Sequence, residues 1–205
     1  MEEIEVNTSA SSLIGANFSR ANYIGANLLK VNLKGSHFEG ANFREANLKG
    51  ADLEGANFRE ANLKWTNLRE ANLKGADLRE ANFEGADLEE TDLEGANLEG
   101  ANLEGANLKG ANIQRANLRE VNLKGADLNW ATLRGANLKG ADLREANFTG
   151  ADLKGADLIS TNLDGANLTW TNLDRADFDG AKLDGTNLKE AHYLTFDQLS
   201  KAKCT

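Results

Sequence analysis

The sequence predicts an all-β solenoid, in which short extended segments stack on one another around a common core. Two observations predict this fold class. The first is a five-residue period: all twenty glycines lie in one phase of it, and it runs without a slip from Ala16 to Glu190 as thirty-five pentapeptides of the form A-N/D-L-x-G. The second is that two positions of every unit, the centre and the residue two before it, hold only apolar or small side chains.

These two positions indicate an extended backbone. Apolar residues five apart would wind around an α-helix or a coiled coil, so neither structure accounts for them. In an extended chain, residues two apart share a face. The centre is Leu in twenty-six units and Phe, Ile or Tyr in the other nine, and the residue two before it is Ala in twenty-seven. We therefore expect both positions to face a dry interior.

Each unit is expected to end in a corner. Glycine is common at the last position, as at Gly50 and Gly55, and it suits a backbone with positive φ. Asn or Asp precedes the centre in thirty-two of the thirty-five units, where a short polar side chain bonds to nearby backbone. The chain has no proline, as expected where nearly every residue donates to a ladder between coils.

The repeated motif resembles that of the pentapeptide-repeat proteins, above all their uninterrupted cyanobacterial members. It is clearest in residues 46–55, which read Ala-Asn-Leu-Lys-Gly and then Ala-Asp-Leu-Glu-Gly, and it covers most of the chain. The resemblance implies a right-handed quadrilateral β-helix with four pentapeptides per coil, the centre and the preceding Ala pointing inward. At ~4.8 Å per coil, about nine coils would form a rod roughly 43 Å long. The repeat is assigned to residues 11–193.

A coil of four pentapeptides makes a further prediction, because residues twenty apart should stack. Phe18, Phe38 and Phe58 have this spacing and are expected to form an aromatic ladder in the core. The outward residue after the centre alternates in sign along one face, through Lys34, Glu54, Lys74 and Glu94. Along another face the signs alternate in pairs, through Arg44, Lys64, Glu84, Glu104, Lys124, Arg144, Asp164 and Asp184. Such ladders stabilise modestly and mainly select the register of the coils.

The N-terminal end is expected to be covered. Ile14, Ile24 and Leu29 occupy outward positions in the first coil that are mostly charged in later coils. Residues 1–10 are expected to fold back over them as a cap. The alternative is weak end-to-end self-association through this end of an otherwise monomeric protein.

At the other end, residues 194–205 predict a short capping α-helix and a tail. Thr195 and Gln198 have the spacing of a capping box, so the helix is expected to begin at about Phe196. Phe196 and Leu199 are then expected to cover the last coil as a lid. The alternative is a dimer contact, which the resemblance suggests because some gyrase-directed members use their C-termini in this way.

No catalytic residue, cofactor or metal site is expected. A nucleophile needs a base and an orienting group close by, whereas the two histidines, His37 and His192, lie at outward positions of units near opposite ends. Glycines that recur strictly at five do not open into a P-loop or a dinucleotide fingerprint. The pattern therefore favours a protein that is not an enzyme.

Composition narrows the classes of partner. A net charge of -9 and a pI of about 4.8 disfavour direct binding to nucleic acid, which requires a basic stripe. The first residues lack the basic and apolar regions of a secretory signal, and no apolar run is long enough to span a membrane. The single cysteine, Cys204, fits a reducing compartment. We therefore expect a cytoplasmic protein that does not bind membranes.

One surface with little charge in the C-terminal half is a candidate partner site. Its outward residues are Asn129, Trp130, Thr149, Thr169 and Trp170. Exposed aromatic side chains in an uncharged setting favour a protein interface. The alternative interpretation is that each indole merely covers its own corner, since the single Trp65 on a neighbouring face shows the same substitution.

The sequence thus predicts a non-enzymatic interaction or scaffold solenoid with an unknown protein partner. The alternative is DNA mimicry, because the resemblance includes members that bind DNA gyrase as mimics of duplex DNA. Alternating charge along the faces and repeats without interrupting loops both count against mimicry. An acidic cluster near the C-terminal end is a second candidate contact, for a partner that docks end-on; its members are Asp164, Asp174, Asp177, Asp179 and Asp184.

Overall fold

The computed structural model describes residues 13–203. They form a right-handed quadrilateral β-helix, as expected. Parallel bridges join the second residue of each unit to the residue twenty positions later, from Asn17 and His37 to Asn172 and His192. Because each unit has five residues, four units complete one coil. The expected cap in residues 1–10 and the thiol of Cys204 lie outside the described residues.

Hydrogen bonds between coils recur three times in each unit. The amide of a central residue donates to the second residue of the next coil, as from Phe43 N to the Asn62 carbonyl at 2.7 Å. The corner amide donates to the next coil as well, and the second residue donates back, as from Asn62 N to the Ala41 carbonyl at 2.9 Å. Within residues 13–203 each extended segment has a single residue that pairs with the neighbouring coils. The four sides of each coil are therefore short, and the cross-section of the β-helix is nearly square.

The corners are turns closed by a hydrogen bond from the first residue of the next unit. Ala46 N donates to the Phe43 carbonyl at 2.9 Å, and the last residue of a unit has positive φ, 63° at Gly50. This combination matches a type II turn. All corner residues from Gly15 to Glu190 share positive φ, although sixteen of them are not glycine. The coil therefore imposes the left-handed conformation even on residues that disfavour it.

The core is a column of central side chains lined by alanines, and both inward positions are buried through most of the coils. The predicted aromatic ladder is confirmed: the rings of Phe18 and Phe38 stack at 5.4 Å, and those of Phe38 and Phe58 at 4.7 Å. A second stack, Tyr23 on Phe43 at 4.8 Å, stands beside the first. Aromatic side chains therefore fill two sides of the first coils.

Polar groups next to the core are bonded to backbone. At most positions where threonine replaces the inward alanine, its hydroxyl donates to a carbonyl of the preceding coil, as from Thr66 Oγ1 to Phe43 O at 2.8 Å; Thr161 Oγ1 instead donates to Leu158 O in its own coil, at 2.7 Å. The asparagine before each centre accepts from the amide two residues on, as Asn62 Oδ1 does from Lys64 N at 3.2 Å. This confirms the predicted local bonding of Asn and Asp. Asparagines also bond to one another between coils, with Asn62 Nδ2 donating to Asn42 Oδ1 at 3.1 Å.

One α-helix, α1 (Phe196–Lys201), follows the last coil. Its predicted capping box is confirmed: Thr195 Oγ1 accepts from Gln198 N at 3.3 Å, and Thr195 N donates to Gln198 Oε1 at 2.8 Å. The side-chain amide of Gln198 also bonds to the preceding coil, with Nε2 donating to the carbonyls of Leu173 and Ala176 at 2.9 Å each. The helix is thus fastened to the last coil by hydrogen bonds.

The expected lid uses different side chains from those predicted. Phe196 is 87% exposed and does not cover the coil, whereas Leu194 and Ala202 pack against the core. The reason lies at Tyr193, which takes a φ of 60° two residues before the next corner is due. This turns Tyr193 outward and Leu194 inward.

The described residues contain no helix with the length and hydropathy needed to cross a bilayer.

Candidate partner-binding face

The structure brings the five residues of the predicted partner surface onto one side of the β-helix, at the same corner of successive coils. Trp130 N donates to Thr149 O at 3.0 Å, and Gly150 N donates to Thr169 O at 2.9 Å. Asn129 and Trp130 therefore lie one coil from Thr149 and two coils from Thr169 and Trp170. We call this set, Asn129, Trp130, Thr149, Thr169 and Trp170, the tryptophan strip.

The two indoles of the strip are open to solvent. Trp130 is 65% exposed and Trp170 is 47% exposed. Trp65, on the neighbouring face, is equally exposed but has cations at its ring: Arg44 Cζ lies 5.1 Å and Lys64 Nζ 4.9 Å from its centroid. Within residues 13–203 no cation lies over Trp130 or Trp170. Trp65 is thus engaged by cations, whereas the rings of Trp130 and Trp170 are not.

Each indole lies across the corner of the next coil, not over its own. A Cβ atom added to Gly150 would lie 2.8 Å from Trp130 Cη2 and closer to two other ring atoms, and one added to Gly85 would lie 2.6 Å from Trp65 Cδ1. The Trp170 indole reaches Glu190, whose carboxylate accepts from Nε1. The rings thus contact the next coil instead of covering their own corners, and a role of the indoles in partner binding stays a prediction. For Trp65 and Trp130 the signal in the sequence was a glycine twenty residues later, at Gly85 and Gly150.

The two threonine hydroxyls of the strip bond to the asparagines beside it. Thr149 Oγ1 donates to Asn147 Oδ1 at 2.7 Å and accepts from Asn167 Nδ2 at 3.0 Å. The same pattern repeats one coil later, where Thr169 Oγ1 donates to Asn167 Oδ1 at 2.6 Å and accepts from Asn187 Nδ2 at 3.0 Å. These hydroxyls and amides are therefore occupied, and the surface between the indoles is neutral.

An open cleft of about 400 Å³ extends the strip toward the N-terminus. Its lining residues are Glu89, Glu90, Lys109, Gly110, Asn129 and Trp130. Four of these, Glu89, Glu90, Lys109 and Gly110, were missed in the sequence, because charged residues and glycine are the ordinary outward residues of the repeat. Asn129 Oδ1 is buried and has no hydrogen-bond partner among the described residues. The cleft and the strip form one continuous feature along a single corner of the rod.

The acidic side chains near the middle of the rod are largely neutralised by a ring of cations. In the coil of residues 61–80 all four residues after a centre are basic, and in the coil of residues 81–100 all four are acidic. The two rings are Lys64, Arg69, Lys74 and Arg79, and Glu84, Glu89, Glu94 and Glu99. Lys64 pairs with Glu84 at 2.8 Å, Lys74 pairs with Glu94 at 2.8 Å, and Arg69 pairs with Glu89. Negative charge therefore does not run unbroken along the rod.

These pairs shift the titration of their carboxylates. A hydrogen bond from Lys74, together with its charge, lowers the pKa of Glu94. The hydrogen bond from Arg69 does the same for the pKa of Glu89. In the predicted ladder on the first face, the hydrogen bond and charge of Lys34 lower the pKa of Glu54, at 2.8 Å. All three carboxylates therefore stay ionised to a lower pH than in an unfolded chain.

The second predicted contact, the acidic cluster, is spread around the rod. The twenty-residue register places Asp164 and Asp184 on one face, Asp174 on the opposite face, and Asp177 and Asp179 on the face between them. Asp174 is paired with Lys154 at 2.7 Å. The five carboxylates therefore surround the last coils, and their role in an end-on contact stays a prediction.

Three further surface features concern the histidines, potential metal ligands and the apolar residues at the N-terminal end. His37 and His192 are exposed and lie in coils near opposite ends. In the part of the chain that the structure describes, no three His, Cys, Asp or Glu side chains are grouped to hold a metal ion. At the N-terminal end, Ile14, Ile24 and Leu29 are about half exposed, beside a cavity of about 50 Å³ lined by core residues of the first coils.

Comparison with known proteins agrees with this architecture. The family model for pentapeptide repeats matches overlapping segments that together span residues 11–190. HetL, a pentapeptide repeat protein involved in heterocyst differentiation regulation from the cyanobacterium Nostoc sp. strain PCC 7120, is 36% identical over 86% of this chain and 84% of its own, with a TM-score of 0.49. Trypsin-treated QnrB1, a plasmid-mediated fluoroquinolone resistance protein, is 22% identical over 91% of this chain and 85% of its own, with a TM-score of 0.57. No curated protein sequence matches the chain.

Proposed function

The chain belongs to the pentapeptide-repeat family, and from this premise we propose that it is a non-enzymatic solenoid that binds another protein through the tryptophan strip. Members of the family are generally structural or interaction proteins. A stack of coils presents flat, regularly spaced faces, which suits the recognition of extended surfaces. The fold supplies a rigid backbone, and the outward residues decide which face can bind.

The observation that carries the proposal is the pair of exposed indoles on a neutral face. Tryptophan is one of the residue types enriched among the few side chains that carry most of the binding energy of a protein interface. Trp130 and Trp170 are 65% and 47% exposed, although most other corner residues are glycine or charged. Ion pairing neutralises charge elsewhere on the rod, whereas between the two indoles the surface is made by uncharged Thr and Asn side chains, with Glu190 on the far side of Trp170. This is where a partner displaces water at the least cost in charge desolvation.

Affinity capture from cells that naturally express the protein tests the proposal. The bait is the wild type, a Trp130→Ala, Trp170→Ala double variant, or a Trp65→Ala variant as the matched control. We expect a protein that the wild type and the control retain and the double variant loses. Circular dichroism verifies that all three baits are folded. A set of retained proteins that is the same for all three would show that the strip is not the binding face.

The charge arrangement supports this proposal over DNA mimicry. A mimic of duplex DNA needs negative charge that continues along the rod, whereas the acidic ring at residues 81–100 is stacked against a basic ring and paired with it. The distinguishing measurement is DNA supercoiling by gyrase in the presence of excess protein. We expect no change in supercoiling, and inhibition would instead favour the mimic.

A further inference from the structure

The two indoles of the tryptophan strip have a spacing set by the fold. Trp130 and Trp170 are forty residues apart in one corner column, which is two coils. The Trp130 ring lies over Gly150 of the next coil, and the Trp170 indole reaches Glu190 of the coil that follows it. Two coils correspond to ~9.6 Å along the axis. Gly150 lies beneath the first ring and carries no side chain. The strip is therefore a shallow track with two aromatic platforms at a defined separation.

We propose that this track binds a polyproline II segment with prolines three residues apart. The inference rests on the proposed function, since it names the class of partner for the same face. A polyproline II helix has three residues per turn and a rise of about 3.1 Å per residue, so that residues i and i+3 are about 9.3 Å apart on the same side. This distance matches the indole spacing. One proline ring stacks on Trp130 and the next stacks on Trp170, as in known aromatic-lined grooves for such segments.

The hydrogen-bonding state of the strip favours proline over a polar ligand. The hydroxyls of Thr149 and Thr169 already donate to asparagine oxygens and accept from asparagine amides. A sugar would need free donors and acceptors directed at its hydroxyls. Proline has no N–H, and a polyproline II segment is recognised largely through its ring surfaces. The neutral, internally bonded surface between the indoles fits that ligand.

The cleft next to Trp130 adds a third contact. The cleft lies over Gly110, one coil before Trp130. The Trp130 ring covers the corner at Gly150, which is two coils from Gly110. The cleft and the ring are therefore again ~9.6 Å apart along the axis. The acidic wall of the cleft is formed by Glu89 and Glu90. Glu89 is paired with Arg69, whereas Glu90 makes no ion pair within residues 13–203. A basic residue three positions from the first proline would reach Glu90, so the preferred ligand carries Arg or Lys, then Pro, then Pro at three-residue intervals.

Titration with synthetic peptides, followed by tryptophan emission and by calorimetry, tests the inference. The probes are a peptide with Arg, Pro and Pro at three-residue intervals, the same residues in reversed order, and a peptide with the two prolines moved to four-residue spacing. We expect one of the first two to bind and the shifted spacing to weaken binding about tenfold. Equal affinity for both spacings, or no binding by any of these peptides, would overturn the inference.

Protein variants locate the contact. Trp130→Ala and Trp170→Ala are each expected to reduce affinity about tenfold, whereas Trp65→Ala leaves it unchanged. Glu90→Gln weakens only peptides that contain arginine, and added salt reduces this difference. Glu145→Gln, at a corner of the neighbouring face, is the matched control and should have no effect. Peptide binding that survives loss of both tryptophans would place the ligand elsewhere.

Two further outcomes separate the inference from the proposed function. A cello-oligosaccharide that binds in place of the peptides, and loses binding in the tryptophan variants, overturns the proline inference and makes the strip a sugar site. A captured protein that depends on Trp130 and Trp170 but has no proline-rich segment, with no peptide binding, also overturns the inference while leaving the proposed function standing.

Discussion

Individual corner residues show how strongly the coil constrains its backbone. Sixteen non-glycine residues, among them Glu60 and Trp130, hold φ between 55° and 60°, a conformation that costs an L-residue about 1–2 kcal/mol. Each of these corners is held by an amide hydrogen bond to the next coil or closed by the turn bond that follows it. The position tolerates side chains for this reason, and glycine is preferred there without being essential. The contacts of a corner side chain then depend on the residue at the same corner of the next coil.

Two glycine replacements separate backbone strain from the indole contact. A Cβ at Gly95 meets no atom within 4 Å, while one at Gly150 overlaps the Trp130 ring. Gly95→Ala is therefore expected to lower the free energy of unfolding by about 1 kcal/mol through φ alone, and Gly150→Ala by more, because the indole must move. Urea unfolding measures both. In a Trp130→Ala background the two replacements should cost the same; a persistent difference would mean that the indole does not rest on Gly150.

The C-terminal helix is an element that depends on its attachment to the coil. With six residues (Phe196–Lys201) it is too short to be stable by itself. Its contacts with the coil are Gln198 Nε2 to two carbonyls, Lys203 N to the Ala181 carbonyl at 2.7 Å, and Gly180 N to the Lys201 carbonyl at 2.9 Å. Since only Leu194 and Ala202 of this segment pack against the core, hydrogen bonds contribute much of the attachment.

Gln198→Ala is expected to loosen the end of the rod. It removes one half of the capping box and leaves the Leu173 and Ala176 carbonyls without their side-chain donor, at a cost of about 1–3 kcal/mol. Hydrogen exchange should become faster at Gly180 and Lys203, and remain unchanged in coils far from this end. Lys201→Met, which removes only the exposed pair with Asp197, is the control. Unchanged exchange at Gly180 in the Gln198 variant would show that the helix is held by its apolar contacts.

The charges of the whole rod are arranged in rings as well as in lines. The basic ring at residues 61–80 and the acidic ring at residues 81–100 meet near the middle of the rod and pair across one interface between coils. In a solenoid each coil contacts only its neighbours, so a single interface can be strengthened locally. A shift of register by one coil would place Arg69 opposite Lys109 and Arg79 opposite Arg119, and these like charges oppose such a shift.

The rings make stability depend on pH in a defined direction. The pKa values of Glu89 and Glu94 are lowered in the folded state. Their contribution to stability is therefore present above the unfolded pKa of about 4.3 and is lost as the pH falls through the folded pKa. We expect the thermal midpoint to fall as the pH is lowered from about 5 to 3. An Arg69→Gln, Lys74→Gln double variant should show a smaller fall, and an equal fall would assign the acid sensitivity to other carboxylates.

Much of this protein follows from its pattern of residues. The unbroken five-residue period predicts an extended segment, a corner and two inward side chains in every unit, because backbone geometry and burial act locally within each unit. Once coils of twenty residues are assumed, the stacking of Phe18, Phe38 and Phe58 and the column shared by Trp130 and Trp170 follow without further information. Even the capping box at Thr195 and Gln198 is local, since it joins residues three apart.

The tertiary structure alone determined the side-chain contacts between neighbouring coils. The Trp130 ring lies across Gly150, a residue twenty positions away, because a side-chain rotamer responds to the free space of the neighbouring coil. The cleft beside Glu90 arises in the same way, from a missing side chain at Gly110. At the C-terminus, Tyr193 takes positive φ two residues early and turns Leu194 inward, a departure that the five-residue pattern does not indicate. A repeat specifies its own backbone, but neighbouring coils and the end of the stack determine the directions of its side chains.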